Sequence, residues 1–129
     1  MATWQAVQEG MRARYALELD EPEEFALTLT MPGGEGRLQR VMVRTYQARG
    51  RALIELRSAF AEREGLDAEA LLRQGLTLEL GAIALHGPYC VVLHKASLDE
   101  LSVEALLERV HWIAEIADRL EHAMGGDRF

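Results

Sequence analysis

The C-terminal part of the sequence carries one long amphipathic pattern, which restricts the possible folds more than any other feature of the chain. Ser102 is a plausible helix N-cap, and apolar residues recur after it at helical spacing: Val103, Leu106, Leu107, Val110, Ile113, Ala117, Leu120 and Met124. Full burial of each large aliphatic side chain is worth roughly 1.5–3 kcal/mol, so this helix must cover a sheet or a partner. We expect the helix to end near Gly125 and Gly126.

Upstream of this helix the apolar period changes to two residues, which predicts strands with one buried face. Alternating segments occupy residues 25–31, 40–46 and 52–58. The glycine-rich stretch 32–36 predicts a turn between the first two, and Arg49-Gly50 is a candidate two-residue hairpin loop. Strands joined by such tight turns predict an antiparallel meander.

The remaining segments supply two more helices and two more strands. A first helix follows the N-cap Thr3, with Trp4, Val7, Met11 and Tyr15 on one side, and an acidic connector follows it at 18–24. A short helix is predicted from Ala68 to Gln74, with Asp67 as N-cap and Gly75 as its stop. Two further strands are predicted at 76–80 and 89–95. The sequence therefore predicts a single α+β domain over residues 1–129. Its order is helix, three strands, helix, two strands, helix, and its sheet is twisted and mainly antiparallel, with the first and last helices packed on one face.

Charge and composition narrow the classes of partner. The 129 residues carry a formal net charge of −7, which disfavours duplex nucleic acid and anionic membranes as partners. No apolar run approaches the roughly 20 residues that span a bilayer, and the first residues lack the layout of a signal peptide. The single cysteine, Cys90, excludes an internal disulfide. We expect a cytoplasmic protein.

Two constellations could carry chemistry, and neither predicts an enzyme. Cys90 and His94 lie four residues apart on one predicted strand, about 13 Å at ~3.3 Å per residue, which is too far for a nucleophile and its base. The row His111, Glu115, Asp118 and His122 has helical spacing and could bind a metal, but it also fits the solvated face of an amphipathic helix. We favour the solvated face and expect no metal and no cofactor.

Three arginines form a candidate partner-binding face. Arg40 and Arg44 share one strand face, and Arg57 lies on a neighbouring strand. Pairing with Glu55 and Glu79 across an open sheet face is one explanation of their positions. The other is a face that binds an anion or an acidic peptide.

A second candidate interaction site lies around the short middle helix. Leu66, Leu71 and Leu72 expose more apolar surface there than a monomer of this size easily covers. This predicts a homodimer with these three leucines in its interface.

Three stretches of the sequence carry motifs of a known family. They are Leu76-Thr-Leu-Glu-Leu-Gly-Ala-Ile-Ala-Leu-His-Gly-Pro-Tyr-Cys-Val-Val-Leu, Leu98-Asp-Glu-Leu-Ser-Val-Glu-Ala-Leu and Ile113-Ala-Glu-Ile-Ala-Asp-Arg-Leu-Glu. Together they resemble the type III secretion chaperone-like superfamily, meaning the CesT/Tir-type secretion chaperones and the YbjN-like proteins. In that group a fourth strand ending in Leu-Gly-x-Leu-Ala pairs with a short fifth strand, and the C-terminal helix carries Ala-Asp-x-Leu-Glu. The order of helices and strands also agrees, so the resemblance spans almost the whole chain.

The resemblance implies a non-enzymatic homodimer that binds another protein, with the short middle helix as a common interface element. Secretion chaperones are small, acidic and cytoplasmic. They hold a partner segment extended along the dimer surface, with apolar grooves for its side chains and sheet edges for its backbone. The YbjN-like branch implies instead a small regulatory or stress-response protein that holds no client. The sequence leaves both alternatives open.

Overall fold

The computed structural model describes residues 3–32 and 36–124, and these residues form the α+β fold that the sequence predicts. Their elements, in chain order, are α1 (Trp4–Arg14), β1 (Leu19–Glu21), β2 (Glu24–Thr30), β3 (Leu38–Ala48), β4 (Arg51–Glu62), α2 (Ala68–Gln74), β5 (Ala82–His86), β6 (Tyr89–Ser97) and α3 (Val103–Met124). Short 3₁₀ helices occupy Gly75–Thr77 and Leu98–Glu100. The central part of the predicted turn at 32–36, and the predicted helix end at Gly125 and Gly126, lie outside the described residues.

The strands of the described residues form one six-stranded sheet in the order β1-β2-β3-β4-β6-β5. Every neighbouring pair is antiparallel, as predicted. The β4–β6 register shifts between Ala59 and Ala61, where β4 carries a bulge. Strands β1 and β5 are therefore the two edges of the sheet.

The apolar stripe of α3 packs against the central strands and builds the core. Ile113 and Val110 of α3 are fully buried with Val43 of β3 and Leu56 of β4. Helix α1 joins the same core, since the Trp4 ring stacks on Phe25 with 5.3 Å between ring centroids. The prediction that the first and last helices share one face is confirmed. No helix within residues 3–32 and 36–124 has the length and apolar character needed to cross a membrane.

Local signals in the sequence placed most helix starts correctly. The Thr3 hydroxyl accepts a hydrogen bond from the Ala6 amide, and the Ser102 hydroxyl accepts one from the Ala105 amide. Asp67 caps α2 in the same way through the Glu69 amide. Arg49 and Gly50 both have positive φ, at 52° and 73°, which is the geometry of a two-residue hairpin loop.

The predicted fourth strand at 76–80 is wrong. Gly75 does not stop α2 in a left-handed conformation but stays right-handed, with φ −56° and ψ −31°, so the chain continues into the 3₁₀ turn Gly75–Thr77. The alternating leucines misled the prediction, since Leu76 is 93% exposed. The strand begins only at Ala82, directly after Gly81, whose φ is +80°.

The predicted acidic connector at 18–24 also contains an element that the sequence did not reveal, the short edge strand β1. Helix α1 holds it in place. The Gln8 amide donates to the Glu21 carbonyl and to Asp20, each at 2.7 Å, and Arg12 forms two hydrogen bonds of 2.7 Å with the Asp20 carboxylate. These contacts join segments distant in sequence, so local periodicity could not indicate them.

Gly81 is expected to be the glycine most sensitive to substitution. A Cβ atom there would lie 2.8 Å from the Leu93 carbonyl oxygen, and φ is positive. Gly65 has a similar φ of +82° with open space around it. Gly65→Ala should therefore lower the free energy of unfolding by about 1–2 kcal/mol, through the strained left-handed backbone alone. Gly81→Ala should lower the free energy of unfolding by roughly 1–3 kcal/mol more than Gly65→Ala does, because β5 must move away from β6 to make room for the Cβ atom. Urea unfolding of both variants measures the difference, and equal costs would contradict the close approach.

Candidate functional site

The sheet face turned away from α1 and α3, called here the open face, holds the three arginines that the sequence singled out. Strand alternation places Arg40, Met42 and Arg44 of β3 on this face, and the pairing Met42 to Arg57 brings β4 alongside. Glu55 pairs with Arg44 in the same register. The structure therefore brings Arg40, Arg44 and Arg57 onto one surface.

A buried carboxylate organises the centre of the open face. Glu55 is only 4% exposed and accepts two hydrogen bonds of 2.9 Å from the guanidinium of Arg44 and one of 2.9 Å from Arg57. Lys95 adds a third cation, with its Nζ 3.8 Å from Oε1. Burial on its own would raise the pKa of Glu55, but the hydrogen bonds from Arg44 and the three positive charges outweigh it and hold the pKa below its ordinary value.

The arginines are engaged to different degrees. Arg44 is committed to Glu55, and its guanidinium also lies 4.5 Å from the centroid of the Tyr46 ring. Arg40 has the most exposed side chain of the three, at 53%, and it forms an ion pair of 3.4 Å with Glu18. The predicted pairing with Glu55 is confirmed for Arg44 and Arg57.

The predicted pairing of these arginines with Glu79 is wrong. Glu79 lies in the connection that was predicted to be a strand, and it binds Arg119 of α3 instead, at 3.3 Å. Because residues 78–81 are not part of the sheet, Glu79 does not belong to the open face.

Two adjacent depressions on the open face form one groove, called here the open-face groove. The first, of about 440 Å³, is lined by Gln39, Arg40, Met42, Arg57, Ala59, His86, Tyr89 and Val91. The second, of about 380 Å³, is lined by Arg44, Glu55, Arg57, Ala84, Leu85, His86, Val91 and Leu93. They share Arg57, His86 and Val91, so the groove runs continuously across β3, β4, β6 and β5, and all its lining residues belong to strands.

Sequence reasoning identified the charged residues of this groove but missed its floor. Ala59 and Ala84 are small, and Met42, Tyr89 and Leu93 are larger neighbours in the lining, so the surface sinks at the alanines. Small residues at open-face positions of β4 and β5 could have indicated the depressions. For β5 this indication failed, because the predicted strand at 76–80 begins six residues before the observed one.

Cys90 and His94 do not form a nucleophile and base. Both lie on the helix-facing side of β6, where Cys90 is fully buried and burial raises the pKa of its thiol. His94 Nε2 lies 3.0 Å from a guanidinium nitrogen of Arg109 on α3. Burial, and then the Arg109 charge, lower the pKa of His94, so the imidazole acts as a neutral acceptor for Arg109.

The helical row from His111 to His122 is divided among unrelated contacts. His111 Nε2 lies 2.9 Å from the Tyr15 hydroxyl, and Glu115 and His122 are exposed. Asp118 is 8% exposed and binds Arg37 in a bidentate ion pair, so the predicted solvated position is wrong for this residue. Within residues 3–32 and 36–124, no three His, Cys, Asp or Glu residues are grouped to hold a metal ion.

The three leucines of the predicted dimer interface differ in exposure. Leu72 is 71% exposed and Leu66 is half-buried. Leu71 is only 7% exposed and belongs to the core of its own chain, so the expectation that it contributes exposed surface is wrong. The 3₁₀ turn adds an apolar side chain that was not predicted there, the 93% exposed Leu76.

Comparison with known proteins adds no assignment to this geometry. No protein-family model matches the chain. No curated protein matches its sequence either.

Glu55→Gln is expected to destabilise the fold by about 2–4 kcal/mol at neutral pH, because it leaves Arg44, Arg57 and Lys95 without their shared anion. The pKa of Glu55 is lower in the folded protein than the ordinary 4.5, so its contribution is complete above pH 4.5 and is lost as the pH falls through the lower folded-state value. Urea unfolding over a pH series should therefore show wild type and variant converging in acid.

Glu69→Gln is the matched control for this measurement. Glu69 also binds an arginine, Arg73, but both side chains are more than 70% exposed on α2. Glu69→Gln should lower the free energy of unfolding by less than about 0.5 kcal/mol at any pH. Equal effects of the two substitutions would show that the cluster around Glu55 is no stronger than a surface ion pair.

Proposed function

We propose that this chain is a non-enzymatic protein-binding domain that holds an extended segment of a partner protein and works as a homodimer. The open-face groove is the observation that supports this most directly. It is continuous, apolar at Met42, Val91 and Leu93, and bordered by arginine side chains. The resemblance to secretion chaperones suggests the same activity, and the acidic chain and the buried Cys90 fit the cytoplasmic location that we propose with it.

An extended segment suits this groove better than a compact ligand does. The groove crosses four strands and consists of two depressions side by side. A chain in extended conformation points alternate side chains to one side, at intervals of about 6.6 Å, so two of them could enter neighbouring depressions. Partner binding would then use Arg40 and Arg57 at the groove border, with Arg44 acting mainly through Glu55.

Two features that follow each other in the sequence favour a homodimer. Leu72 and Leu76 are exposed on α2 and the turn that follows it. Strand β5, which comes next, is a sheet edge with the sequence Ala-Ile-Ala-Leu-His, without acidic or proline residues that would discourage strand addition. Two copies could pair along β5 about a twofold axis, with the leucines covered at the same interface.

The partner-binding proposal is tested by capture from the lysate of the native host. The bait is the full chain, washed at low and at high salt. We expect one partner to be retained at both salt concentrations, since apolar burial dominates and exposed ion pairs add only about 0–1 kcal/mol each. A Met42→Gln bait should lose this partner, because Met42 lines the groove.

Leu38→Gln provides the matched control, since Leu38 lies on the same face of the same strand and lines neither depression. Limited proteolysis of the captured complex should protect a short segment of the partner. Retention of the partner by the Met42→Gln bait, or protection of a folded domain, would contradict the proposal. If no protein is enriched at either salt, the small regulatory protein without a client takes its place.

The dimer is tested by light scattering over micromolar concentrations. We expect a mass of twice the 14.4 kDa of one chain. Replacing Leu72 and Leu76 together by glutamine should shift the protein toward the monomer, because both side chains would be buried only in the dimer. Leu38→Gln should leave the mass unchanged, although Leu38 is also 53% exposed. A monomeric wild-type protein at every concentration would refute the dimer.

A further inference from the structure

The larger depression of the open-face groove, called here the anchor pocket, combines an apolar floor with a cationic border. Met42, Ala59 and Val91 supply the floor, and Arg40 and Arg57 lie at the border. Its volume of about 440 Å³ leaves room for one bulky apolar side chain of a bound segment.

Arg57 is unusual among the arginines of the open face because its side chain is only 15% exposed. One of its terminal nitrogens, Nη1, donates to Glu55 at 2.9 Å. The other terminal nitrogen lies 3.8 Å from Glu24, beyond hydrogen-bonding distance. The guanidinium thus retains N–H groups that can bind a carboxylate at the pocket, where screening by solvent is reduced.

Arg40 supplies a second, more accessible cation on the same border. Its side chain is 53% exposed, and its ion pair with Glu18 is 3.4 Å long and exposed on both sides. A carboxylate of a bound segment can displace Glu18 at little cost, because such surface pairs contribute about 0–1 kcal/mol.

The charge of the whole molecule makes this border selective. The chain carries a formal net charge of −7, so most of its surface repels acidic peptides. The border of the anchor pocket presents the cationic side chains of Arg40 and Arg57. The four cations of this cluster outnumber by one the three carboxylates that they contact, so an acidic segment meets a local excess of positive charge here. The cations are Arg40, Arg44, Arg57 and Lys95, and the carboxylates are Glu18, Glu24 and Glu55.

We infer that the anchor pocket recognises a bulky apolar side chain flanked by carboxylates, as found in an acidic segment of a partner protein. This inference rests on the proposed function and adds to it the chemistry of the segment that is bound. The apolar side chain occupies the space over Ala59 between Met42 and Val91. The flanking carboxylates bind Arg57 and Arg40.

The probe is a capped synthetic peptide with one phenylalanine between two pairs of glutamates, added to the full isotope-labelled chain and followed by NMR. The methyl resonances of Met42, Ala59 and Val91 should shift. Replacing the glutamates by glutamines should weaken binding about fivefold. Replacing the phenylalanine by alanine should weaken it at least about tenfold, because the apolar burial is lost.

Two variants test the pocket from the protein side. Arg40→Gln should weaken binding of the glutamate peptide about threefold to fivefold and leave the glutamine peptide unaffected. Ala59→Val narrows the floor with a residue that strands favour, and should weaken both peptides that carry phenylalanine. Arg14→Gln is the matched control, since Arg14 is 44% exposed and forms one ion pair, with Glu104, on the helix side of the sheet.

Three outcomes would overturn the inference. Peptide-induced shifts confined to β5 would place binding at the sheet edge, which refutes the anchor pocket and leaves the partner-binding function standing. Equal affinity for the glutamate and glutamine peptides would remove the role of the arginines. The peptide could also fail to bind at concentrations where the chain is dimeric and yet bind the Leu72 and Leu76 double variant. This result would show that a second copy covers the groove.

Discussion

The packing of α3 on the central strands is the interaction on which the other features of the structure depend. The helix buries its stripe against β3 and β4, and residues such as Val110 and Ile113 are fully enclosed. Because side chains alternate along a strand, enclosing one face of the sheet leaves the next residue of each strand on the other face. The open face and its arginines are thus a direct consequence of where α3 packs.

A sheet face that no helix covers must be stabilised by its own side chains, and on the open face ion pairs around Glu55 contribute much of this stabilisation. Glu55 is buried without any helix residue around it in the groove, because Arg44, Arg57 and Lys95 surround its carboxylate. Their aliphatic portions cover the sheet, while their charged ends remain partly in water. The same arrangement that stabilises the face also leaves cationic groups at its surface, so the residues that stabilise the face are also those proposed to bind a partner.

The sequence determined the elements whose signals are local and left open those that depend on distant contacts. Residues close together in the sequence were enough to predict three helix caps, one hairpin loop and the limits of α2. The caps are Thr3, Asp67 and Ser102, and the loop is Arg49-Gly50. Strand β1 needs the side chains of α1, and β5 begins where Gly81 meets Leu93, so neither was placed correctly.

The candidate site was predictable to the same extent. Strand alternation correctly put Arg40, Arg44 and Arg57 on one face. The depth of the groove depends on how four strands come together, and the position of one of them was misjudged.

The two edges of the sheet are not equivalent, and this bears on how far copies of the chain can assemble. The β1 edge is three residues long and acidic, and its Glu21 carbonyl already accepts a hydrogen bond from Gln8. The β5 edge has no such protection in its sequence. If two copies pair along β5 as proposed, both outer edges of the pair are β1 edges, so strand addition stops at two copies and does not propagate into a fibre. The short acidic strand β1 would then limit the assembly to a pair.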